Sequence, residues 1–271
     1  MKTIIITIVT ALVLVAGTAA FLYWRSIPEP QPVQAPTAPV VPADDISMQQ
    51  EMIEPTPETP APPEPPALPA LSESDSYMWD ALAGLINNES WMKLFLPAHL
   101  IQKMVATIDN LPRKHLPRNI VFVKRLRGPF MVEGPEGNYN ISPNNAARYA
   151  VYVKIAESID ARKLVDAYVH LYPLFQEAYK ELGYPDKYFN DRLLAVIDNL
   201  LAAPDVKDPV WLRQPNVMYL YADPDLEASS AGQKILMRMG SANAAVVKSK
   251  LRDIKQIIML RMTEKQIGAT P

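Results

Sequence analysis

The most distinctive chemistry in this 271-residue sequence is a run of cationic side chains between residues 113 and 127. A stretch this dense in positive charge and free of acidic residues favours an anionic partner. Phospholipid headgroups, an anionic glycan, nucleic acid or an acidic segment of the same chain would each fit its charge, and a solvated loop without a partner is the structural alternative. The basic residues are Arg113, Lys114, His115, Arg118, Lys124, Arg125 and Arg127.

Nucleic acid is the least suitable of these partners. The chain has a formal net charge of −2, and the basic stretch lacks the interleaved aromatic side chains on which bases stack. We therefore expect no nucleic-acid partner.

A second group of polar residues lies at helix starts or inside otherwise apolar elements. If these residues meet, they form either a structural network that fixes how helices cross or a recognition cleft. Arg192 is expected to bridge to another helix, and Arg148 with Tyr149 is expected to meet the segment 190–192. Together with Arg118, Arg125 and Arg127 of the basic stretch, the candidate recognition residues are Arg148, Asn190, Asp191, Arg192, Asp223, Gln233 and Lys234.

No catalytic or metal-binding constellation is recognisable in the sequence. His99, His115 and His170 lie on separate elements without metal-ligand spacing, and the chain has no cysteine. Glu177 and Glu181 are one helical turn apart and match the acid pair of a glycan hydrolase only in residue type. We expect no cofactor and no metal, and the sequence favours a non-enzymatic protein.

The elements that must position these residues centre on two helices joined at Gly183-Tyr184-Pro185. Apolar residues recur every three or four positions from Leu164 to Leu182 and again from Phe189 to Leu201, which predicts two arms that bury against each other. Pro173 predicts a kink or a restart in the first arm, and Asp186 is expected to cap the second.

The remaining pattern predicts a mainly α domain with two short β-hairpins. Helices are expected after Asp75, through Trp91 and from Leu100 to Asn110, and again after Ser142-Pro143 and Asp223-Pro224. The hairpins are expected at 130–141 and 210–221. A last helix carries Lys248, Lys250, Arg252 and Lys255 on a side expected to be basic and exposed.

The N-terminal quarter of the chain has a different character. Residues 4–24 contain no charge and would span about 30 Å as a helix, the thickness of a bilayer's hydrocarbon core. Residues 26–71 hold 14 of the 27 prolines and seven acidic side chains with no Lys or Arg, which predicts a disordered spacer. The chain divides into an anchor 1–25, a linker 26–71, a folded domain 72–260 and a polar tail 261–271.

These features predict a single-pass protein of the bacterial inner membrane with a cytoplasmic N-terminus and a periplasmic C-terminal domain. Lys2 and the α-amino group place more positive charge before the span than Arg25 does after it. From residue 72 onward the chain has 25 basic and 22 acidic side chains, so the linker and the folded part carry opposite charge.

The long string YPLFQEAYKELGYPDKYFNDRLLAVIDNLL, preceded by DNLPR and NAARYAVYV and followed by VMYLYADPDLEASSAGQKILMRMG, resembles the bacterial family called domain of unknown function 3014. The resemblance extends over residues 68–251. It implies an envelope protein of Gram-negative bacteria with an anchor, a proline-rich spacer and one C-terminal domain, and it implies no catalytic residue.

Three functions follow as hypotheses. The first is a non-enzymatic scaffold or adaptor that binds an envelope protein. The second is a module that binds an anionic glycan or lipid through residues 113–127. The third and weakest is an envelope hydrolase.

Overall fold

The computed structural model describes residues 68–267, and within them the chain forms nine helices and one small antiparallel sheet. The mainly α fold class predicted from the sequence is confirmed there. The predicted anchor and the linker as far as residue 67 lie outside the described residues. In chain order the elements are α1 Asp75–Ile86, α2 Glu89–Met92, α3 Leu100–Asn110, β1 Val132–Glu133, β2 Tyr139–Ile141, α4 Asn145–Ser158, α5 Ala161–Glu181, α6 Phe189–Leu201, β3 Trp211–Arg213, β4 Leu220–Tyr221, α7 Pro224–Ala228, α8 Ala231–Arg238 and α9 Ser241–Ile267.

The largest hydrophobic core lies where α1 and α3 pack against α5. Leu100, Ile101 and Val105 on α3 are fully buried in it. Asp75 at the start of α1 fixes the position of α3, because its carboxylate accepts the backbone N–H groups of His99 (2.8 Å) and Leu100 (2.7 Å). These are donors that a helix N-terminus otherwise leaves unsatisfied.

The central hairpin forms as α5 and α6, with two departures from expectation. Helix α5 runs unbroken through Pro173, so no restart occurs there. Asp186 does not cap α6; instead Gln176, from the middle of α5, accepts the Phe189 N–H (2.8 Å) and donates to the Lys187 carbonyl (2.8 Å). A longer side chain on the facing helix thus replaces a local cap.

The two arms also pack differently from the prediction. Gly183 turns the chain at a φ of 108°, as a glycine permits. The start of α6 does pack against α5 as predicted, because the Phe189 ring stacks on Phe175 with centroids 5.8 Å apart. Over the rest of their length the two helices pack more on other helices, mainly α3 and α9, than on each other. The remaining apolar residues therefore face a shared interior bounded by other helices.

The two predicted β-hairpins exist but are joined in one sheet with the order β1-β2-β3-β4. Strand β2 pairs with β3 through Tyr139 opposite Leu212, and the Ile141 N–H donates to the Val210 carbonyl at 3.0 Å. Pairing β2 with β3 removes one open edge from each hairpin, which is the physical reason for joining them in one sheet. Ile141, Val210, Leu212 and Tyr221 share one small core with Met237 of α8.

The segment after Asp223-Pro224 forms two helices instead of one. Asp223 caps α7 as predicted, and its Oδ1 accepts the Asp225 N–H at 2.8 Å. Helix α7 ends at Ala228, and α8 restarts with a reciprocal capping box between Ser230 and Gln233. Helix α9 then continues to Ile267, into the residues assigned to the polar tail.

The expectation of a basic exposed side on α9 is wrong for three of its lysines. Lys248 is buried and donates to the Ala203 carbonyl (2.6 Å) and to Asp205 (2.6 Å). Lys250 donates to the Ile159 carbonyl at 2.6 Å, and Lys255 pairs with Asp198 at 2.5 Å. Because Ile159 and Ala203 follow the C-terminal ends of α4 and α6, Lys248 and Lys250 satisfy carbonyls that helix ends leave free.

No helix within residues 68–267 is both long enough and apolar enough to cross a membrane. The 27-residue α9 is long enough to cross a membrane, but its hydropathy is too low.

We predict that Glu227→Gln will flatten the acid dependence of stability. Glu227 accepts the Tyr221 N–H (2.9 Å) and pairs with Lys234 (2.5 Å), tying β4 to α7 and α8. Burial alone would raise the pKa of Glu227, but these two hydrogen bonds outweigh it and hold the pKa below its ordinary 4.5. The stabilisation is therefore complete above about pH 4.5 and is lost as pH falls through the lower folded value.

Urea unfolding at pH 7, 5, 4 and 3.5 would measure this. The variant should lose about 1–2 kcal/mol at pH 7 and progressively less toward pH 3.5. Glu136→Gln, at an exposed loop position, is the matched control. Parallel pH profiles for wild type and Glu227→Gln would show that this carboxylate is not involved.

Candidate functional site

A buried carboxylate organises the polar interior of the domain. Asp109, in the last turn of α3, is 1% exposed. Its Oδ1 accepts from Arg192 Nε of α6 (2.8 Å), and its Oδ2 accepts from Arg113 Nη2 (2.7 Å). Arg192 also donates to the Asp109 carbonyl at 2.5 Å. The two guanidinium groups offset both the burial of this charge and its position at the negative end of a helix dipole.

Aromatic side chains close over this ion cluster and leave an open cleft of about 460 Å³ beside it. The rings of Tyr179 and Tyr184 stack with centroids 4.6 Å apart, and the Lys187 ammonium lies 5.5 Å from the centre of the Tyr184 ring. Burial raises the pKa of Tyr179. Arg113 donates to the Tyr184 hydroxyl at 3.1 Å, and the hydrogen bond and charge of Asp109 raise the pKa of Arg113.

The structure separates the three predicted residues of the segment 190–192. Arg192 bridges α6 to α3, so that prediction is confirmed. Asn190 instead accepts the Tyr168 hydroxyl at 2.5 Å and so links α6 to α5. Asp191 is exposed and lines the cleft. Because arginines hold both oxygens of Asp109, the cluster is a structural lock between α3, α6 and the start of the basic stretch.

The expectation that Arg148 and Tyr149 meet this cluster is wrong. Arg148 donates to the Arg127 carbonyl (3.2 Å), the Gly128 carbonyl (3.0 Å) and Asn145 Oδ1 (3.0 Å). Tyr149 is buried in a separate core, and burial raises its pKa. Arg148 therefore clamps the end of the basic stretch from α4.

Asn145 completes this clamp and was not singled out from the sequence. It is buried, accepts the Met131 N–H (3.0 Å), and donates to the carbonyls of Met131 (2.5 Å) and Ser142 (3.0 Å). Its bonds to Ser142 and Arg148 are local, but its contact with Met131 depends on the β1–β2 hairpin, which residue types alone do not reveal.

The stretch from Arg113 to Arg127, hereafter the basic loop, is irregular in backbone, and hydrogen bonds hold it at Arg113 and again from Ile120 to Arg127. The Arg113 carbonyl accepts the Ala231 N–H at 2.7 Å. In the middle, Lys124 donates its N–H to the Leu94 carbonyl (2.7 Å), and Tyr152 donates its hydroxyl to the Lys124 carbonyl (2.7 Å). Backbone groups thus hold the basic loop on α2, α4 and α8.

The side chains of the basic loop extend from this backbone into solvent. Arg113 is paired with Asp109, but within residues 68–267 no other basic side chain of the loop lies within ion-pair distance of a carboxylate. The fixed backbone therefore presents unneutralised positive charge to solvent. The exposed residues are Lys114, His115, Arg118, Lys124, Arg125 and Arg127.

The C-terminal candidates have structural roles in a different place. Asp223 caps α7, and Lys234 pairs with Glu227. Gln233 donates to the Asn199 carbonyl at 2.8 Å and so attaches α8 to α6. The structure does not bring these three residues to the Asp109 cluster by any hydrogen bond or ion pair among the described residues.

The sheet places apolar residues in solvent next to the end of the basic loop. Trp211 lies on the face of β3 opposite the buried Leu212 and is half exposed. At the β3–β4 turn, Val217 is 87% and Met218 66% exposed. The Phe130 and Tyr219 rings, 6.2 Å apart, connect this turn to the segment that follows Arg127.

An apolar pocket of about 250 Å³ lies between α1, α3, α5, α6 and α9. Its walls include Leu85, Met104, Phe175, Val196 and Ile254.

A family model described as protein of unknown function (DUF3014) matches residues 100–255, more than half of the chain. The chain belongs to this family. The resemblance noted in the sequence is therefore confirmed. A search of the curated proteins and a search of the solved structures find no match. The DUF3014 match includes the Asp109 cluster, the basic loop and the central hairpin, and it supplies no activity.

The residues considered for catalysis in this DUF3014 domain are dispersed. His99 precedes α3 at a φ of 53°, His170 Nε2 lies 2.8 Å from the Tyr77 hydroxyl, and His115 is exposed. Glu177 and Glu181 are both exposed on α5. Among residues 68–267, no group of three or more His, Asp or Glu side chains has the arrangement of a metal site.

We predict that Asp109→Ala will lower the free energy of unfolding by about 1.5–3 kcal/mol, because it removes the charge-assisted hydrogen bonds to Arg192 and Arg113. Chemical denaturation at neutral pH measures the change. Asp166→Ala, which removes an exposed ion pair with Arg261, should cost less than about 1 kcal/mol. Equal effects of the two substitutions would contradict the assignment of Asp109 as the lock.

Proposed function

We propose that this protein is a non-catalytic binding module held at the bacterial inner membrane, with its C-terminal domain in the periplasm. The uncharged stretch 4–24, the excess of positive charge before it and the acidic, proline-rich spacer 26–71 support this location. The family match is consistent with a domain that has no recognised activity.

The contact surface is the basic loop, and its partner is an anionic glycan or lipid headgroup. The observation that carries this proposal is the contrast between two sets of cations. The lysines of α9 bind carbonyls and carboxylates of the domain itself. Arg118, Arg125 and Arg127 are exposed on a backbone fixed from both ends, and within the described residues no carboxylate neutralises them.

The fixed backbone matters for affinity. Ordering a flexible segment on binding costs conformational entropy and so weakens the affinity, whereas a loop that is already ordered avoids this cost. Exposed charges are also screened within about 8–10 Å at physiological ionic strength. The loop must therefore approach its partner closely, and binding must weaken as salt rises.

The triple charge reversal Arg118→Glu, Arg125→Glu and Arg127→Glu should abolish sedimentation of the domain, residues 68–271, with anionic vesicles or with the isolated envelope glycan. A reversal of the same size at the exposed Lys154, Arg162 and Lys207 is the matched control and should leave most binding intact. The wild type should dissociate with increasing salt.

Unchanged sedimentation of the triple variant would exclude the basic loop as the contact surface. Loss with both triple variants would mean that net charge alone, and not this surface, determines the interaction.

A protein adaptor is the second candidate, and the exposed residues Trp211, Val217 and Met218 favour it. Large apolar side chains clustered in solvent mark protein contact sites more often than chance. In this case Val217→Asp with Met218→Asp would abolish capture of a partner protein, while the triple charge reversal would not. The hydrolase hypothesis gains no support, since Glu177 and Glu181 are exposed on one helix.

The location has its own test. A reporter enzyme that is active only outside the cytoplasm, fused after Pro271, should be active in cells. Activity of a cytoplasm-only reporter at the same position would contradict the periplasmic location.

A further inference from the structure

We propose that the apolar pocket between α1, α3, α5, α6 and α9 binds one hydrocarbon chain of a membrane lipid. This site is separate from the basic loop; it rests on the membrane location proposed above but not on the binding role of that loop. At about 250 Å³ the pocket is larger than the engineered cavity of about 150 Å³ in another protein that holds benzene.

The pocket is a recess between the helices and not an uncovered helix face. Leu171, Phe175, Phe189 and Val196 in its walls are almost fully buried. The large apolar side chains that the domain does expose, such as Val217 and Met259, do not line it. A volume of about 250 Å³ is smaller than one turn of a partner helix about 10 Å across, whereas it can hold part of a slender chain.

The lining selects a hydrocarbon over water or a polar ligand. A buried water needs two to four polar partners, and the walls consist of aliphatic and aromatic side chains. The hydroxyl of Tyr168 is already bound to Asn190 at 2.5 Å. A lipid headgroup is excluded for the same reason, so only the acyl portion enters.

Helix α9 is the wall that can admit such a chain. Leu251, Ile254 and Ile258 face the pocket from this helix. Exposed ion pairs attach α9 to its neighbours on both sides: Arg261 to Asp166 of α5 (2.7 Å) and Lys255 to Asp198 of α6 (2.5 Å). The ion pairs at this C-terminal end are exposed and contribute little to stability, whereas Lys248, nearer the start of α9, is buried on the Ala203 carbonyl and Asp205. The C-terminal end of α9 is therefore the part of this wall that is displaced most easily.

A bilayer is the source of the ligand. The predicted anchor keeps the domain within reach of membrane lipid for its whole lifetime, and each methylene transferred from water to an apolar site is favourable.

The test uses the full-length chain in living cells grown with a photoactivatable, alkyne-tagged fatty acid. After irradiation the protein is purified, and labelled peptides are identified by mass spectrometry. We expect label on peptides from α5, α6 and α9, and the mass of the adduct distinguishes a free fatty acid from a phospholipid acyl chain.

Two pocket-filling variants make the test specific. Ala167→Phe on α5 and Ala81→Leu on α1 should each remove label from these peptides, while Val169→Phe, at a half-exposed position on α5, should keep it. Circular dichroism melting checks that each variant is folded. If Ala167→Phe does not fold, the labelling of Ala81→Leu decides the test. Label confined to residues 1–67, or label on α5 and α9 that survives a folded filling variant, would overturn the proposal.

Discussion

The burial of one charge, that of Asp109, constrains the rest of the structure. A carboxylate in the interior is stable only when it is paired and hydrogen-bonded, and Arg192 and Arg113 supply both requirements. Arg192 comes from the start of α6 and Arg113 opens the basic loop. The same interaction therefore fixes the crossing of α3 with the central hairpin and the point at which the basic loop leaves the core. Arg148 fixes the other end of the loop.

This arrangement divides the cations of the domain into two groups with different roles. Cations in the interior or along α9 complete the hydrogen bonding of the fold: Lys248 and Lys250 bind carbonyls at helix ends, and Lys234 holds Glu227. Arg118, Arg125 and Arg127 contribute no such contact among the described residues. These charges stabilise nothing within the domain, and the domain holds their backbone in place. This combination supports a binding role.

Sequence periodicity predicted the helices and the turn at Gly183, because apolar spacing and glycine geometry are local properties. It failed where a long-range contact replaced a local one. Gln176 took the role expected of Asp186, and α5 and α6 packed mainly on other helices, which left the apolar pocket between them. Of the site, the basic loop and the bridging role of Arg192 were predictable from residue types. The acceptor Asp109 and the clamp residue Asn145 were not, since each also depends on a distant contact: Asp109 binds Arg192, 83 residues away, and Asn145 binds Met131 across the β1–β2 hairpin. Their nearby partners, Arg113 and Arg148, do not by themselves mark a buried site.

The most direct test of the central claim is photo-crosslinking in living cells from a probe at position 125 in the full-length chain, with a probe at position 218 for comparison. The account predicts crosslinks from position 125 to lipid or envelope glycan that disappear when Arg118 and Arg127 are reversed to Glu. A single reproducible protein crosslinked from both positions, with no lipid or glycan adduct at position 125, would contradict it.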